Sequence, residues 1–537
     1  MTKIIFYIAL MNFGFVIDNR KCIGCHACTV ACKSEHDVPV GVNRTWVKYV
    51  EKGIYPNTRR IFAVNRCNHC ADAPCVKICP VGALYMRDDG IVDFDNRRCV
   101  GCKACTQACP YNAIYIDPET RTTAKCNYCA HRIDIGLKPA CVNVCPEQAI
   151  VAGDIDDPAA EISMLIARKQ VQVRKPEKGT LPKLFYIDAD EASTVPTAAL
   201  PADGYMWSEQ AMGVGHYTGV KGAREQGDNN SPSLESLNPR ILSLPIDARR
   251  TYDAPQKGMM WGWEVSGYIW TKAIATGIVL ITFLASLLGI EGTASNLQVA
   301  SVVISMLFLI FTGGLLISDL DRPDRFLYVL LRPNWKSWLV KGAYIITIYG
   351  GLLTLYLFMK FLKYDRFDSL LSFLLVIFAT LSAVYTAFLF AQAKGRDFWQ
   401  NPILLLYMFI HSIIAGATVW LITGIFISPP EPFTGFMKSV LIGSIAIHLL
   451  LEFAEFLIPH STKDSHLVSE IISRGSLKYL FWCGVILFGN IIPLILLTVS
   501  VLTIQPLFLL LAGILILAGI YISNHIIVRA PQLIPLS

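Results

Sequence analysis

Sixteen of the seventeen cysteines lie between Cys22 and Cys145, in four groups of four. The groups are Cys22, Cys25, Cys28 and Cys32; Cys67, Cys70, Cys75 and Cys79; Cys99, Cys102, Cys105 and Cys109; and Cys126, Cys129, Cys141 and Cys145. The first and third groups have the spacing C-x2-C-x2-C-x3-C, and the last three groups end in Cys-Pro. Thiolates at this spacing hold cubane iron–sulfur clusters, and the fourth cysteine of one run ligates the other cluster of a pair. The sequence therefore predicts four [4Fe–4S] clusters that carry single electrons.

Two other uses of cysteine fit this pattern less well. Structural zinc sites also contain C-x2-C pairs, but they need neither a third cysteine at this short spacing nor a following proline. A disulfide framework is typical of small secreted domains, and we expect no cleaved secretory signal here. Cys483 stands alone in an apolar segment, and we expect it to be a small core residue.

The cysteine groups must be held by a folded domain, and the sequence around them predicts one. Short apolar strands at residues 14–17, 91–94 and 113–116 alternate with turns, cluster-binding loops and short helices. We therefore expect an α+β ferredoxin-like domain with two double-cluster modules over residues 1–152. Residues 153–260 are rich in Pro, Gly, Asn and Ser, which indicates a docking segment and linker.

Residues 261–537 form a second domain of a different class. Eight apolar segments there are each close to the length that crosses a bilayer. They run over residues 264–289, 297–318, 342–360, 369–392, 402–428, 438–459, 479–502 and 506–528. We expect an all-α, eight-helix transmembrane domain in the inner (cytoplasmic) membrane, with the iron–sulfur domain on the side where the spans begin and end. Lys plus Arg exceed Asp plus Glu only by 47 to 41, so no nucleic-acid partner is expected.

The charge of the loops favours a cytoplasmic iron–sulfur domain under the positive-inside rule. Basic residues of the loops on the iron–sulfur side are Arg322, Arg325, Arg332, Lys336, Lys341, Lys394, Arg396, Lys463, Arg474, Lys478 and Arg529. The opposite loops contain only Lys360, Lys363, Arg366 and Lys438. The alternative is that the basic residues dock the acidic face of a partner domain, in which case the iron–sulfur domain lies outside.

The cysteine region resembles the four-cluster electron-transfer subunit of the dimethyl-sulfoxide, polysulfide and thiosulfate reductase family. The resemblance covers residues 14–150 and includes the C-x2-C-x4-C-x3-C-P second group and the C-x2-C-x11-C-x3-C-P fourth group. It implies four ligand sets: Cys22, Cys25, Cys28 with Cys145; Cys126, Cys129, Cys141 with Cys32; Cys67, Cys70, Cys75 with Cys109; and Cys99, Cys102, Cys105 with Cys79. The first group departs from the family pattern, because Lys33 stands where the other groups have proline.

Residues 261–530 are similar to the NrfD-like membrane subunit of the polysulfide reductases. The stretch that carries this resemblance is DLDRPDRFLYVLLRPNWKSWLVKGAY, from Asp319 to Tyr344, with Asp321 where the family usually has Gly. The resemblance implies that the membrane domain exchanges electrons with the quinone pool, as menaquinone or ubiquinone. It also implies a separate molybdopterin-containing catalytic subunit, since this chain has no GxGxxG nucleotide-binding motif.

Ionisable side chains in a membrane domain mark functional sites by default, because their burial in hydrocarbon is costly. Those near the iron–sulfur side are Glu264, Lys272, Asp319, His411, His448, Glu452, Glu455 and His525. His448, Glu452 and Glu455 are spaced to share one helix face. Because a quinone needs hydrogen-bond donors and a route for two protons, we predict that these residues form its site. The alternative for each residue is a structural ion pair or a hydrogen bond between helices.

The function predicted from these features is an electron-transfer and membrane-anchor subunit of a molybdopterin-type oxidoreductase, itself non-catalytic. A proton-translocating redox module is one alternative, although the polar residues do not continue to the far side of the membrane. A membrane-anchored iron–sulfur redox sensor is another, although eight spans exceed what an anchor requires.

Overall fold

The computed structural model describes residues 11–200, 248–254, 257–290, 295–427, 429–457, 460, 462–503 and 506–537. An α+β domain that contains the cysteines is followed by a helical domain, as the sequence predicts. The low-complexity stretch at residues 223–240, part of the predicted linker, lies outside the described residues.

The iron–sulfur domain is built from short strands and short helices. Its strands are β1 Phe13–Asp18, β2 Thr45–Ile54, β3 Asn57–Arg66, β4 Leu84–Met86, β5 Val92–Phe94, β6 Ile114–Ile116, β7 Thr123–Lys125, β8 Ile150–Asp154, β9 Val171–Gln172, β10 Leu184–Ile187 and β11 Ala248–Tyr252. Its helices are α1 Ala27–Glu35, α2 Pro74–Ile78, α3 Ala104–Ala108, α4 Ala130–Ile133, α5 Ala140–Asn143, α6 Glu161–Arg168 and α7 Glu191–Thr194. The three strands expected at residues 14–17, 91–94 and 113–116 correspond to β1, β5 and β6.

The Cys-Pro pairs determine where the helices after the cluster loops end. Helices α2 and α3 stop before Cys79 and Cys109, whose backbones are extended. Proline disfavours the helical conformation of the residue before it, so each helix ends at that cysteine. Lys33 replaces the proline in the first group, and α1 accordingly continues past Cys32 to Glu35.

Part of the predicted linker belongs to the sheets of the iron–sulfur domain. The largest sheet has the order β8-β1-β10-β9, in which β10 runs parallel to β1 with Phe15 opposite Leu184. Strand β11 pairs antiparallel with β2, with Arg250 opposite Val50. The linker expectation for residues 153–260 is therefore wrong for these described strands. Local composition did not reveal them because their partners lie far away in the sequence.

Eight helices among the described residues are long and apolar enough to cross a membrane. Membrane helices 1 to 6 are Trp263–Leu287, Ser295–Ser318, Trp338–Phe361, Asp368–Gln392, Ile403–Ile427 and Glu431–Leu457; helix 7 is a π-helix, Leu480–Ile491, continued by an α-helix, Ile492–Thr503; and helix 8 is Pro506–Arg529. Two shorter helices, Tyr328–Leu331 and Lys463–Ser473, lie in the connections. Membrane helices 3 and 6 begin earlier than predicted, because helix 3 continues past the charged Lys341 to Trp338 and helix 6 includes a polar first turn from Glu431.

Membrane helix 1 is the centre of the bundle, with 83% of its most apolar window buried. It crosses helix 5 in direct backbone contact at Gly277 and Gly416. A Cβ atom on Gly277 would lie 1.7 Å from the carbonyl oxygen of Ser412. Small residues at such crossings let membrane helices approach closely, and here they fix the position of helix 5.

The iron–sulfur domain rests on the segments that follow membrane helices 2, 4, 6 and 8. The backbone N–H of Asn334 donates to the carbonyl of Pro80 at 2.8 Å, and that of Gly395 to the carbonyl of Gln107 at 3.1 Å. After helix 6, Asp464 lies 3.8 Å from the Lys175 ammonium group. After helix 8, the carbonyl of Ser537 accepts from Arg250 at 3.1 Å. All four segments thus lie on one face, as an eight-span topology requires.

Cys483 does not lie in the core. The sequence analysis placed it there as a small apolar residue, but its side chain is exposed on helix 7. The expectation is wrong because the lipid-facing surface of a membrane helix is as apolar as its packed surface.

Candidate functional site

Two cavities in the iron–sulfur domain are each lined by four cysteines. One, with about 360 Å³ of empty space, is lined by Cys79, Cys99, Cys102 and Cys105 among apolar residues. The other, with about 320 Å³, is lined by Cys67, Cys70, Cys75 and Cys109. Each cavity takes three cysteines from one group and the last cysteine of another. These are the two sets that the family resemblance implies for the second module.

The other eight cysteines also approach one another across groups. The thiols that interact with Cys22 are those of Cys145 and Cys25. The thiols that interact with Cys32 are those of Cys126, Cys141 and Cys129. The first and fourth groups are therefore interleaved in space, as the implied sets for the first module require.

The cysteine sites fit an anionic cluster better than a single metal ion. Among the residues that the structure describes, no three His, Cys, Asp or Glu side chains converge closely enough to hold one ion. Backbone N–H groups point at the sulfur atoms instead, as from Ala83 to Cys79 Sγ at 3.2 Å and from Thr123 to Cys99 Sγ at 3.4 Å. Burial raises the pKa of the Cys126 thiol to about 12, so ligation to iron ions is needed to keep it ionised.

The cysteines of the Cys79 cavity contact the membrane domain through their backbone. The Cys79 carbonyl accepts a hydrogen bond from Asn334 at 2.8 Å, and the Cys99 carbonyl accepts one from Arg325 at 3.0 Å. The Trp261 indole N–H donates to the Cys102 carbonyl at 3.2 Å. These contacts hold this cavity against the start of membrane helix 1 and the segment after helix 2.

Asp319, predicted to belong to the membrane site, lies at this interface instead. The Lys103 ammonium group donates to the Asp319 carbonyl at 2.9 Å and lies 3.5 Å from its carboxylate and 3.4 Å from that of Asp321. Burial raises the pKa of Asp319 to about 7, and the attraction of Lys103 opposes that rise. Gly101 accommodates Asp321, because a Cβ atom there would lie 2.7 Å from the Asp321 Cβ.

Three aromatic rings continue from this interface into the membrane domain. Trp261 packs on Trp399 with 5.4 Å between ring centroids, and Phe390 stacks on Trp399 at 4.7 Å. Phe398, which precedes Trp399 in the chain, lines a cavity between membrane helices 5, 6, 7 and 8. The aromatic cluster thus lies between the Cys79 cavity and the membrane cavity.

The membrane cavity encloses about 530 Å³ of space, part of it open to solvent. Its polar lining consists of Asn401, Tyr407, Glu452, Glu455 and Ser523. The rest of the lining is apolar and comes from Phe398, Ile403, Leu404, Ile472, Phe481, Val485, Ile526 and Ile527. Asn401 Nδ2 donates to Glu455 at 2.6 Å. The cavity therefore combines apolar walls with a few converging polar groups.

A pair of buried histidines adjoins this cavity. His411 on helix 5 and His448 on helix 6 face each other with 2.9 Å between their Nε2 atoms. Nδ1 of His411 lies 3.1 Å from Asn524 Oδ1, and Nδ1 of His448 lies 2.9 Å from Asn490 Oδ1. The Tyr407 ring packs edge-on against both imidazoles. The two histidines and two asparagines form an unbroken buried line across helices 8, 5, 6 and 7.

Glu452 connects the histidine pair to the cavity. Its carboxylate lies 3.5 Å from His448 Nε2 and accepts from the Ser523 hydroxyl at 3.5 Å. One turn further along, Glu455 lies 3.8 Å from Nδ1 of His460, in the segment after helix 6. A series of proton-accepting groups thus runs from the deep histidines to the face that carries the iron–sulfur domain.

The π-helix in helix 7 positions Asn490. Its Nδ2 donates to the carbonyl of Val485 at 2.7 Å, which leaves Oδ1 directed at His448. The sequence analysis did not select Asn490, Asn401 or Ser523. The signal for Asn490 was present, since it is the one strongly polar side chain in a long apolar segment.

The remaining three predicted membrane residues do not line this cavity. Lys272 is buried, bonds to the Thr386 hydroxyl and lies 4.2 Å from the Tyr385 ring centroid. His525 Nδ1 lies 3.4 Å from the Ser266 hydroxyl. One carboxylate oxygen of Glu264 is buried without a hydrogen-bond partner among the described residues. The structure brings together His411, His448, Glu452 and Glu455, and separates the other four.

Models of protein families match residues 21–155 and 253–535 of the chain. The model described as "Polysulphide reductase, NrfD" matches residues 253–535. Two models described as "4Fe-4S dicluster domain" match residues 21–84 and 58–155.

Curated relatives match the iron–sulfur half. A tetrathionate reductase subunit of Salmonella typhimurium is 44% identical over 204 residues, which cover 37% of this chain and 80% of the relative. The arsenate respiratory reductase iron–sulfur subunit of a Shewanella species is 36% identical, over 33% of this chain and 96% of the relative. A polysulfide reductase chain of Wolinella succinogenes is 42% identical, over 33% of this chain and 94% of the relative. The protein is therefore similar to subunits that occur elsewhere as separate proteins, joined here to a membrane domain.

Proposed function

The protein belongs to the polysulphide reductase NrfD family and includes 4Fe–4S dicluster domains, and from that premise we propose that it transfers electrons between a quinone in the membrane and a molybdopterin-containing catalytic subunit. The observation that carries the proposal is the position of the Cys79 cavity. Three stacked aromatic residues connect that cavity to the membrane cavity.

The cysteine ligands follow from the two cavities and the two interleaved sets. Cys67, Cys70, Cys75 and Cys109 hold one cluster, and Cys79, Cys99, Cys102 and Cys105 hold another. The sets Cys22, Cys25, Cys28 and Cys145, and Cys32, Cys126, Cys129 and Cys141, hold the remaining two. When bound, such clusters accept and donate one electron at a time. Iron and acid-labile sulfide should each approach about 16 per chain, and far smaller values would contradict the assignment.

The membrane cavity is the proposed quinone site. Its apolar walls suit the ring and the start of an isoprenoid tail, and Tyr407, Glu452 and Asn401 offer hydrogen bonds to the ring oxygens. Glu452 accepts a proton from a quinol hydroxyl, with His448 and His411 as the next acceptors. Glu455 and His460 connect the same cavity to the surface. These residues accept the protons that the quinol releases, because the iron–sulfur clusters accept only its electrons.

A bulky side chain in the cavity tests this site. Val485 lines the cavity, so Val485→Trp should block quinol-driven reduction of the clusters while leaving their reduction by dithionite unchanged. Ile495 is the matched control, since it lies in helix 7 and is 55% exposed. Ile495→Trp should behave as wild type. Equal rates in both variants would place the quinone elsewhere.

The catalytic partner is expected at the proposed set of Cys22, Cys25, Cys28 and Cys145. Cys25 is exposed, and the neighbouring Ile23 and Val30 are 54% and 63% exposed. Apolar side chains around an exposed cluster ligand suit a protein interface that also transfers electrons. Copurification of a large molybdenum-containing subunit, lost in Ile23→Glu, would support this. Its copurification with that variant would argue against this surface.

The iron–sulfur domain is proposed to face the cytoplasm of the inner membrane. The excess of basic residues in the loops on its side supports this orientation. Two of those residues, Arg325 and Arg396, also hydrogen-bond the chain's own iron–sulfur domain, at Cys99 and Gln107. Protease protection in right-side-out and inverted vesicles tests the orientation. Cleavage of the iron–sulfur domain only in right-side-out vesicles would mean that it lies on the outer face of the membrane.

A further inference from the structure

Arg66 is a fully buried arginine whose charge has no carboxylate partner among the described residues. It ends β3 and precedes Cys67 in the chain. Nη1 donates to Cys141 Sγ at 3.0 Å, and the guanidinium lies 4.7 Å from the Phe15 ring centroid. Nε and Nη2 have no hydrogen-bond partner among the described residues.

A buried guanidinium in this position requires a counter-charge. Arginine stays protonated in proteins, and burying an unpaired charge is strongly unfavourable. Phe15 supplies only the face of an aromatic ring. The negative charge must therefore come from the cysteine sites, which carry it as thiolates around a metal–sulfide core.

The guanidinium touches one cysteine set of the first module, at Cys141, and interacts electrostatically with cysteines of both sets. The thiols that interact with it most strongly are those of Cys141, Cys126 and Cys28. Cys141 and Cys126 belong to one proposed set, and Cys28 belongs to the other. A single positive charge is thus within electrostatic reach of both proposed clusters.

Lys103, a cation at the second module, is in a different situation. It follows Cys102 directly and is also buried, but its ammonium group lies near the carboxylates of Asp319 and Asp321. Those two negative charges offset its field at the neighbouring cysteine. Arg66 has no such compensation.

We propose that Arg66 raises the reduction potentials of both clusters of the first module. The inference rests on the proposed cysteine ligands. Reduction adds one negative charge to a cluster, and a fixed positive charge in a low-dielectric interior stabilises that charge. The N–H group directed at Cys141 Sγ acts in the same direction.

The test is potentiometry followed by electron paramagnetic resonance on the purified full chain. Arg66→Met and Arg66→Gln remove the charge, and Gln keeps an N–H donor. In both variants two of the four reduction potentials should fall and the other two should stay unchanged. Arg66→Lys keeps the charge and should remain closer to wild type than either neutral variant.

Arg174 provides the matched control. It is also buried, but it donates to Asn65 at 2.6 Å and to the Thr194 carbonyl at 3.1 Å, and no hydrogen bond joins it to a cysteine among the described residues. Arg174→Met should leave all four potentials unchanged. Unchanged potentials in Arg66→Met and Arg66→Gln at wild-type iron content would overturn the inference but not the proposed function. Absence of cluster signals from the wild-type chain would overturn the proposed function itself.

Discussion

Nε2 of His411 and Nε2 of His448 lie 2.9 Å apart, so a proton must lie between the two rings. Asn490 Nδ2 donates to Val485, and its Oδ1 therefore accepts from Nδ1 of His448. In the neutral pair, His411 donates through Nε2 and needs a donor at Nδ1. Asn524 Nδ2, which lacks a partner among the described residues, supplies that donor if the amide turns over. When the pair takes up one more proton and becomes positively charged, Asn524 Oδ1 accepts from Nδ1 of His411. Rotation of one amide thus accommodates two protonation states.

Replacement of His448 should slow quinol oxidation without loss of the clusters. His448→Gln removes the acceptor next to Glu452, and general acid–base groups of this kind contribute about 100-fold to rates. The measurement is the rate at which a menaquinol analogue bleaches the iron–sulfur absorbance. His466→Gln is the control, because its side chain is 61% exposed on the short helix after helix 6. Equal loss of rate in both variants would count against a specific role for the pair.

The two carboxylates of the cavity should differ in importance. Glu452 lies beside His448, whereas Glu455 lies toward the surface near Asn401 and His460. Glu452→Gln is expected to lower kcat by about 100-fold, and Glu455→Gln by about 10-fold, since water also reaches the outer position. Steady-state kinetics with varied quinol gives kcat and KM separately. A larger effect at Glu455 would reverse the proposed order of proton transfer.

The two glycines where membrane helices 1 and 5 cross, Gly277 and Gly416, should not tolerate replacement by a residue with a side chain. A Cβ atom on Gly416 would lie 2.1 Å from the backbone of Gly277. Gly416→Ala should therefore lower stability by about 2 kcal/mol and displace His411 on the same helix. The midpoint of thermal unfolding in detergent measures the first effect, and the quinol reaction rate measures the second. Gly351→Ala is the control, because no atom lies within 4 Å of its Cβ position.

Because of Lys175, the free energy of unfolding should increase with pH in the alkaline range. Burial lowers the pKa of its ammonium group to about 8, and the attraction of Asp464 opposes that fall. Below pH 8 the folded protein bears the full cost of the buried charge. As the pH rises from about 8 to the unfolded value of about 10.4, the folded state loses its proton first and becomes relatively more stable.

Lys175→Met removes this cost. It should raise stability at pH 7 by about 2 kcal/mol, and the gain should shrink as the pH approaches 10.4. Unfolding midpoints of both proteins across this pH range measure the difference. Lys169→Met, an exposed lysine in the same region, should show no such gain. A destabilised Lys175→Met protein at pH 7 would mean that the pairing with Asp464 outweighs the cost of burial.

Asp319 should matter for docking rather than for quinone binding. Asp319→Asn leaves the buried Lys103 with Asp321 as its remaining charged partner, which should cost about 2 kcal/mol of stability. KM for quinol should stay unchanged, because Asp319 does not line the membrane cavity. Asp324→Asn is the control, since that side chain is 57% exposed. A KM for quinol that rises in Asp319→Asn but not in Asp324→Asn would mean that Asp319 contributes to quinone binding.

Regular patterns made much of the architecture predictable. Cysteine spacing located the cluster loops, and the Cys-Pro pairs marked the ends of α2 and α3. The length and hydropathy of the apolar segments gave all eight membrane helices. Each of these signals is local, so neighbouring residues carry enough information to reveal it.

Features that depend on residues far apart in the chain could not be predicted from the sequence. Strand β10 is recognisable only beside β1, and Asp319 finds Lys103 rather than the cavity. The π-helix in helix 7 has an apolar sequence that fits an ordinary α-helix equally well. Its role emerges only when Asn490 is seen to reach His448.

The segment after membrane helix 8 imposes an order on biogenesis. Gln532 accepts from the backbone N–H of Trp261, and the carbonyl of Ser537 accepts from Arg250. This segment therefore joins the iron–sulfur domain to the membrane domain. The ribosome makes it after every membrane helix. Cofactor loading of the amino-terminal half can thus be finished before these last contacts form, while the segments after membrane helices 2, 4 and 6 already hold that half in place.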